Sequence, residues 1–214
     1  MQTYDELLDI VLGKMNHLDF IKPGMIPSID LYMDQITTFM DTHMKNSKRY
    51  EDDKILTKTM INNYAKNELL PPPEKKKYSS EHMYMLAMIY YLKSLLSISD
   101  IQVLMKPLSE KYFHSKDNYN TEEIFHMIYG ACRTRVDQTK ASIEDAYSFA
   151  KTHATDAPDD LKTLTFISIL GFEMYLRKVS IEQILDIMHN DEKIKNEQKE
   201  KDKHKEKQPN HDKK

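Results

Sequence analysis

Residues 56–78 read LTKTMINNYAKNELLPPPEKKKY, and they carry the strongest fold signal in the chain. Its first part has the spacing of a short helix with a polar face, and Thr57 is a suitable N-cap. The three prolines end that helix, because proline lacks an N–H group and its ring clashes with the preceding turn. Three lysines follow. A helix, a rigid stop and a basic loop predict a DNA reader, with the helix in the major groove and the loop on the phosphates.

The charge of the chain is unevenly distributed. The formal net charge is −3, but residues 54–77 hold six lysines against two glutamates. Residues 121–190, by contrast, hold seven basic against eleven acidic residues. A basic island in an acidic chain predicts a local site for a polyanion, with a solvated surface loop as the alternative. Charge alone leaves both interpretations open.

The composition favours an all-α protein. Glycine is scarce, at 4 of 214 residues, and apolar residues recur at steps of three and four with few turn residues between them. The single cysteine, Cys132, excludes an intramolecular disulfide and is expected to be a buried thiol. With no signal-like start and no apolar run of about 18 residues, we expect a cytoplasmic protein without a membrane segment.

The helical pattern divides the chain into four parts. Residues 1–24 are predicted to form an amphipathic arm, 25–115 a DNA-binding domain, 121–189 a helical C-terminal domain, and 190–214 a charged tail. The tail is expected to be disordered or to extend a helix. We expect Asp30 to cap the second helix and residues 121–150 to form one long helix. Two more helices, starting near residues 156 and 180, complete the C-terminal domain.

The predicted order of elements is that of a winged helix-turn-helix, and several anchors carry a family resemblance. Glu68-Leu69-Leu70-Pro71-Pro72 resembles a Gly-Leu-Leu-Pro-Pro stop, and Tyr64 resembles the second tyrosine of a pair before it. Tyr78-Ser79 and the later Ser97-Ile98-Ser99-Asp100-Ile101 resemble the starts of the next two helices. Residues 55–104 thus resemble the DNA-binding domain of the MerR family. Residues 25–185 also resemble a bacterial family of uncharacterised proteins that carry a MerR-like domain.

Three positions differ from the MerR pattern. Asn62 stands where the family has an arginine, Asn63 where it has the first tyrosine, and Glu68 where it has the glycine. Residues 73–78 also leave room only for a short wing. The contacts to DNA are therefore expected to differ from those of the family.

The resemblance implies a regulator that binds double-stranded DNA as a homodimer, with the C-terminal helices as the dimerisation or sensing domain. Lys58, Thr59, Asn62 and Asn63 are predicted to face bases or the sugar–phosphate backbone, and asparagine is suited to pairing with adenine. The remaining contact residues, from Tyr64 onward, are predicted to hold phosphates. The predicted DNA-contacting residues are Lys58, Thr59, Asn62, Asn63, Tyr64, Lys66, Lys75, Lys76 and Lys77.

Two other functions stay open. The missing arginine at position 62 and the acidic charge favour a helical interaction module that has lost DNA binding. A small-molecule sensor with a pocket among Tyr90, Tyr91 and the C-terminal helices is the second alternative, although a Met/Tyr stripe such as residues 83–91 more often forms core. The histidines are scattered, and no phosphate-binding loop, nucleophile elbow or HExxH motif occurs. We therefore expect no catalysis, metal or cofactor.

Overall fold

The computed structural model describes residues 3–206, and side chains there except those of residues 192, 195, 196 and 199–206. The fold is mostly helical, as the composition predicts. Its elements are α1 (Tyr4–Asn16), β1 (Leu31–Tyr32), α2 (Met33–His43), α3 (Lys58–Lys66), β2 (Lys77–Tyr78), α4 (Ser80–Leu92), α5 (Ile98–Pro107), α6 (Thr121–Thr134), α7 (Val136–His153) and α8 (Asp159–Glu206). A 3-10 turn, Lys45–Ser47, follows α2, and a π-helical turn, Leu108–Tyr112, follows α5.

Helix α3 begins and ends where its sequence predicts. The Thr57 hydroxyl oxygen accepts a hydrogen bond from the Met60 backbone N–H at 3.1 Å, which satisfies one of the open donors of the first turn. The helix stops before the prolines, and Glu68 adopts a left-handed backbone with φ of 58°. Leu69 and Leu70 are both buried directly after it. The stop is therefore also an anchor in the core.

The segment predicted as a short wing is a two-residue turn. Strands β1 and β2 pair antiparallel, with Leu31 opposite Tyr78 and Tyr32 opposite Lys77. Lys77 N–H donates to the Glu74 carbonyl oxygen at 2.8 Å, and the intervening Lys75 and Lys76 have φ of 49° and 67°. Positive φ at both central positions is what a type I′ hairpin turn requires. We call residues 74–77 the basic turn.

Helix α4 is the centre of the main core. Seven successive apolar side chains, residues 83–89, are buried, which confirms the core interpretation for this part of the Met/Tyr stripe. Tyr90 is half-buried and Tyr91 is exposed. Ser79 caps this helix and Ser97 caps α5, and α5 ends at Pro107 as predicted. The same core includes Phe125 of α6 and Leu185 of α8. The predicted N- and C-terminal parts therefore share one hydrophobic core.

The N-terminal arm packs on the C-terminal helices. Tyr4 stacks on Tyr147 of α7 with ring centroids 4.5 Å apart, and each hydroxyl donates to the other residue's carbonyl oxygen, at 2.9 and 3.2 Å. Tyr4 N–H also donates to an oxygen of Asp159 at 3.1 Å, at the start of α8. A second, smaller core forms here with Ala146, Ala150 and Phe166.

Several predicted boundaries differ from the structure. Asp30 does not cap α2: residues 31 and 32 are strand β1, and Tyr32 is the N-cap, with its N–H bonded to Gln35 Oε1. The expected single helix over residues 121–150 is broken at Arg135 into α6 and α7. The two helices expected after residue 156 are one helix, α8, which includes residues 190–206 of the predicted tail. Residues 207–214 lie outside the described part of the chain.

Candidate nucleic-acid interface

Helix α3 has one buried and one exposed side. Ile61 is fully buried in the core and anchors the helix to it. Polar and basic side chains cover the opposite side and are exposed to solvent. The exposed residues of this face are Lys58, Thr59, Asn62, Asn63 and Lys66.

Tyr64 belongs to the buried side of α3. Its side chain is 6% exposed and lies in the main core, and burial raises the pKa of its hydroxyl. Ile61 and Tyr64 are three residues apart, which places them on the same helix face. The structure therefore places Tyr64 in the core and away from the solvent side, where a phosphate contact was expected.

Asn63 is partly engaged within its own helix. Asn67 donates its side-chain amide to both the carbonyl and the Oδ1 oxygens of Asn63, at 2.8 and 3.0 Å. These bonds hold the Asn63 side chain near the end of α3. Asn62 is the exposed neighbour one position earlier, so its amide is the better placed of the pair for pairing with a base edge.

The start of α3 is joined to the basic turn through the start of α2. Lys58, the first residue of α3, forms an ion pair with Asp34 in the first turn of α2. Two residues before Asp34, the exposed ring of Tyr32 lies under Lys77, with Nζ 5.4 Å from the ring centroid. The start of α3 and the basic turn therefore both contact one short segment, residues 32–34.

Asp34 is the residue of this surface that the sequence did not reveal. Its carboxylate is 72% exposed and neutralises part of the positive charge of Lys58. Glu74 adds a second exposed carboxylate at the base of the basic turn. The surface is thus basic at Lys66 and Lys75–Lys77 and mixed in charge near Lys58.

A buried histidine joins the proline stop to the start of α4. His82 is 2% exposed, and its Nδ1 accepts hydrogen bonds from the N–H and hydroxyl of Ser79 at 3.0 and 2.9 Å. Nε2 lies 3.2 Å from the Pro71 carbonyl oxygen, so a proton on Nε2 satisfies both nitrogens of the neutral ring. Burial lowers the pKa of His82. This side chain links the proline stop to the start of α4.

A second polar contact holds the segment that leads into α3. The Lys93 ammonium at the end of α4 donates to the Ile55 carbonyl oxygen at 2.7 Å, just ahead of the Thr57 cap. Burial lowers the pKa of Lys93. The contact therefore holds residue 55, two residues before the N-cap of α3, against the end of α4.

Metal binding and membrane insertion have no visible site in the described chain. Within residues 3–206, no three His, Cys, Asp or Glu side chains that are described lie close enough together to hold a metal ion. No helix of that range has the length and apolarity needed to span a bilayer. Cys132 is exposed and does not lie in the core, contrary to the expectation of a buried thiol.

Comparison with known proteins identifies a family for the chain and no function. The model of one family, a domain of unknown function (DUF1836), matches residues 21–148, and the chain belongs to this family. The match covers β1, the basic turn and helices α2 to α6, together with most of α7. No curated protein and no solved structure matches the chain.

Proposed function

We propose that the chain is a DNA-binding regulator that holds double-stranded DNA through α3 and the basic turn. The observation that carries the proposal is that both elements contact the same short segment, residues 32–34. Thr59, Asn62 and Lys66 supply groups suited to base edges and phosphates, and the turn adds three lysines. In this proposal, α2, α3 and the basic turn act together as a winged helix-turn-helix with a minimal wing.

The backbone at position 68 supports the MerR-like part of the proposal. Glu68 has φ of 58°, a conformation that glycine adopts without steric cost. Glycine is the residue that the MerR pattern has at this position. The departure from the pattern therefore changes the residue while the backbone keeps the conformation that the pattern favours.

We further propose that two copies bind together through α8. Leu164, Ile167, Gly171 and Met174 follow each other at steps of three and four, which places them on one stripe of the helix. The three side chains are 58–59% exposed, and a Cβ added at Gly171 would meet nothing within 4 Å. A contiguous exposed apolar stripe is typical of an interaction site, and a second copy supplies the two-fold symmetry that paired half-sites need.

The test is a titration of labelled duplex at two salt concentrations, with the DNA upstream of the protein's own coding region compared against a scrambled duplex. Replacing Lys75, Lys76 and Lys77 by alanine should weaken binding to both duplexes and lower the salt slope by up to about 2.7, since each lost phosphate contact removes about 0.9. Asn62→Ala should reduce only the preference for the upstream DNA. An unchanged salt slope in the triple variant would remove the basic turn from the proposal.

A control variant loses the same three positive charges at other positions. Lys45, Lys111 and Lys116 are exposed lysines on the connections after α2 and α5, outside both proposed contact elements. Replacing these three by alanine should leave affinity and salt slope close to those of the wild type. Equal losses in the two triple variants would indicate general charge attraction.

A protein–protein interaction module is the second candidate. The Lys58–Asp34 ion pair and the burial of Tyr64 favour it, because both remove groups from the predicted DNA contacts. The same titration separates the two: an interaction module shifts neither duplex at low salt. The stripe on α8 would then be its binding face.

A further inference from the structure

An apolar cavity of about 500 Å³, which we call the chamber, lies between the main core and helices α6 and α7. Helices α4 and α5 and the π-helical turn after α5 line it, with Leu92, Leu104 and Leu108 among the lining residues. Phe125 and Ile128 of α6 also line it, and so does Phe20 from the segment after α1. The volume lies within the range of sites that enclose small molecules.

The cavity adjoins a polar recess of about 400 Å³ that shares part of its wall. Phe20, Tyr129, Arg133 and Val136 line both spaces. The recess is also lined by Lys22 and Lys140, so three cationic side chains surround it. Lys140 is held by Asn16 Oδ1 at 2.7 Å and lies 3.6 Å from Asp137, whose carboxylate is almost fully exposed.

Arg133 stands at the junction of the two spaces. Its guanidinium lies over the Phe20 ring, 5.9 Å from the centroid. Among the side chains that the structure describes, no carboxylate lies within ion-pair distance of it. The planar guanidinium can bind a carboxylate through two parallel hydrogen bonds, and it is positioned where an apolar chamber meets a cationic recess.

We propose that this site binds an amphipathic small-molecule anion, a medium-chain carboxylate, with its hydrocarbon tail in the chamber and its head group against Arg133. The chamber excludes a polar body, because its lining is almost entirely apolar. The recess favours a negative head over a positive or neutral one. The site includes Tyr91, one of the two tyrosines suggested for a sensor pocket, and the proposal does not rest on DNA binding.

The probe is sodium decanoate, titrated calorimetrically into the full chain below its micelle-forming concentration, with decyltrimethylammonium as the same chain with the opposite charge. Decanoate should bind saturably at one site per chain, and the ammonium compound at least about tenfold more weakly. Arg133→Gln should weaken decanoate binding about tenfold by removing the charge-assisted hydrogen bonds. Similar affinities for the two amphiphiles, or no saturable binding of decanoate, would overturn the proposal.

The chain offers a matched arginine and a way to block the chamber. Arg49 also lies over an aromatic ring, 5.2 Å from the Tyr50 centroid, and lines neither space. Arg49→Gln should therefore bind decanoate as the wild type does. Ile128→Trp, at a position 40% exposed, fills the chamber without changing charge and should abolish binding. Unchanged binding in the Arg133→Gln or the Ile128→Trp variant would place the ligand elsewhere.

Cys132 gives an independent readout, because it lines the chamber and is the single cysteine of the chain. Decanoate should slow its reaction with a thiol reagent in the wild type, and not in the Ile128→Trp variant. If a second copy of the chain fills the chamber instead, protection of Cys132 will follow protein concentration and ignore decanoate. That outcome would overturn the proposal.

Discussion

The backbone N–H of Leu69 donates a hydrogen bond to the carbonyl oxygen of Tyr64, five residues earlier, at 2.9 Å. Glu68 N–H donates to the Ala65 carbonyl at 3.2 Å, and the two bonds together form a Schellman motif at the end of α3. Leu69 and Tyr64 are both buried, as the hydrophobic contact of this motif requires. The motif forces the residue between them, Glu68, into the left-handed region.

Glu68→Gly should stabilise the fold by about 0.5–1 kcal/mol, because glycine adopts the left-handed conformation without the cost that a Cβ carries. The measurement is the midpoint of urea unfolding with an unchanged slope. Glu68→Ala is the control: it also removes the carboxylate but keeps the Cβ, so it should give no comparable gain. Equal gains in both variants would attribute the effect to charge.

Most of α2 to α5 could be predicted from local signals. Thr57, Ser79 and Ser97 are N-caps, and the prolines after Leu70 end α3, because each effect depends on residues within one turn of helix. The tight turn was predictable only as a short connection. A type I′ turn is usually signalled by glycine or asparagine, and neither occurs at positions 75 and 76. Lysine at two positive-φ positions is unusual, so the sequence did not indicate the turn type.

The contacts that assemble the candidate site could not be predicted, because they join residues far apart in the chain. Most of α2 and a loop separate Asp34 from Lys58, and both α2 and α3 separate Tyr32 from Lys77. The break at Arg135 carries no proline or glycine. Tyr64 could have been placed in the core from its spacing to Ile61, but its hydroxyl suggested a phosphate contact instead.

Asp34→Asn should strengthen binding to any duplex DNA by a few-fold at low salt. The substitution removes a carboxylate from the surface beside α3 and releases Lys58 to pair with a phosphate. The gain should shrink as salt is raised, since it is an interaction between exposed charges. Fluorescence anisotropy of a labelled random duplex at two salt concentrations measures it.

Asp117→Asn provides the same change in net charge away from the candidate site, in the exposed connection before α6. It should leave the affinity within error of the wild type. If Asp34→Asn gives no gain over this control, Lys58 does not contact the DNA backbone.

His82 should make the fold less stable in mild acid. Burial lowers its pKa in the folded chain, so the unfolded chain takes up a proton first as the pH falls through the usual value of about 6.5. The free energy of unfolding therefore decreases as the pH falls below about 6.5, with a slope of up to about 1.4 kcal/mol per pH unit, until the folded-state pKa is reached. Nearby His114 and Glu81 affect the same pKa.

His82→Gln should flatten this dependence. Glutamine at this position can still accept from the Ser79 N–H, as in a capping box, but does not titrate. Urea unfolding at several pH values between 5 and 7.5 measures the difference between wild type and variant. His189→Gln, at an exposed position of α8, is the control and should keep the wild-type dependence. Parallel pH curves for wild type and His82→Gln would contradict the assignment.

Leu164→Glu with Ile167→Glu should convert the dimer that we propose to form through α8 into monomers. Both side chains are 59% exposed in the single chain, so the substitutions leave its cores intact and place four carboxylates across the two-fold interface. Sedimentation velocity over a concentration series measures the change, and circular dichroism checks that α8 remains helical. Gln138→Glu with Gln183→Glu adds the same charge at exposed positions off the stripe and should stay dimeric.

In the DNA titration, the monomeric variant should lose affinity for paired half-sites and keep its affinity for a single half-site, because only the paired half-sites engage two copies at once.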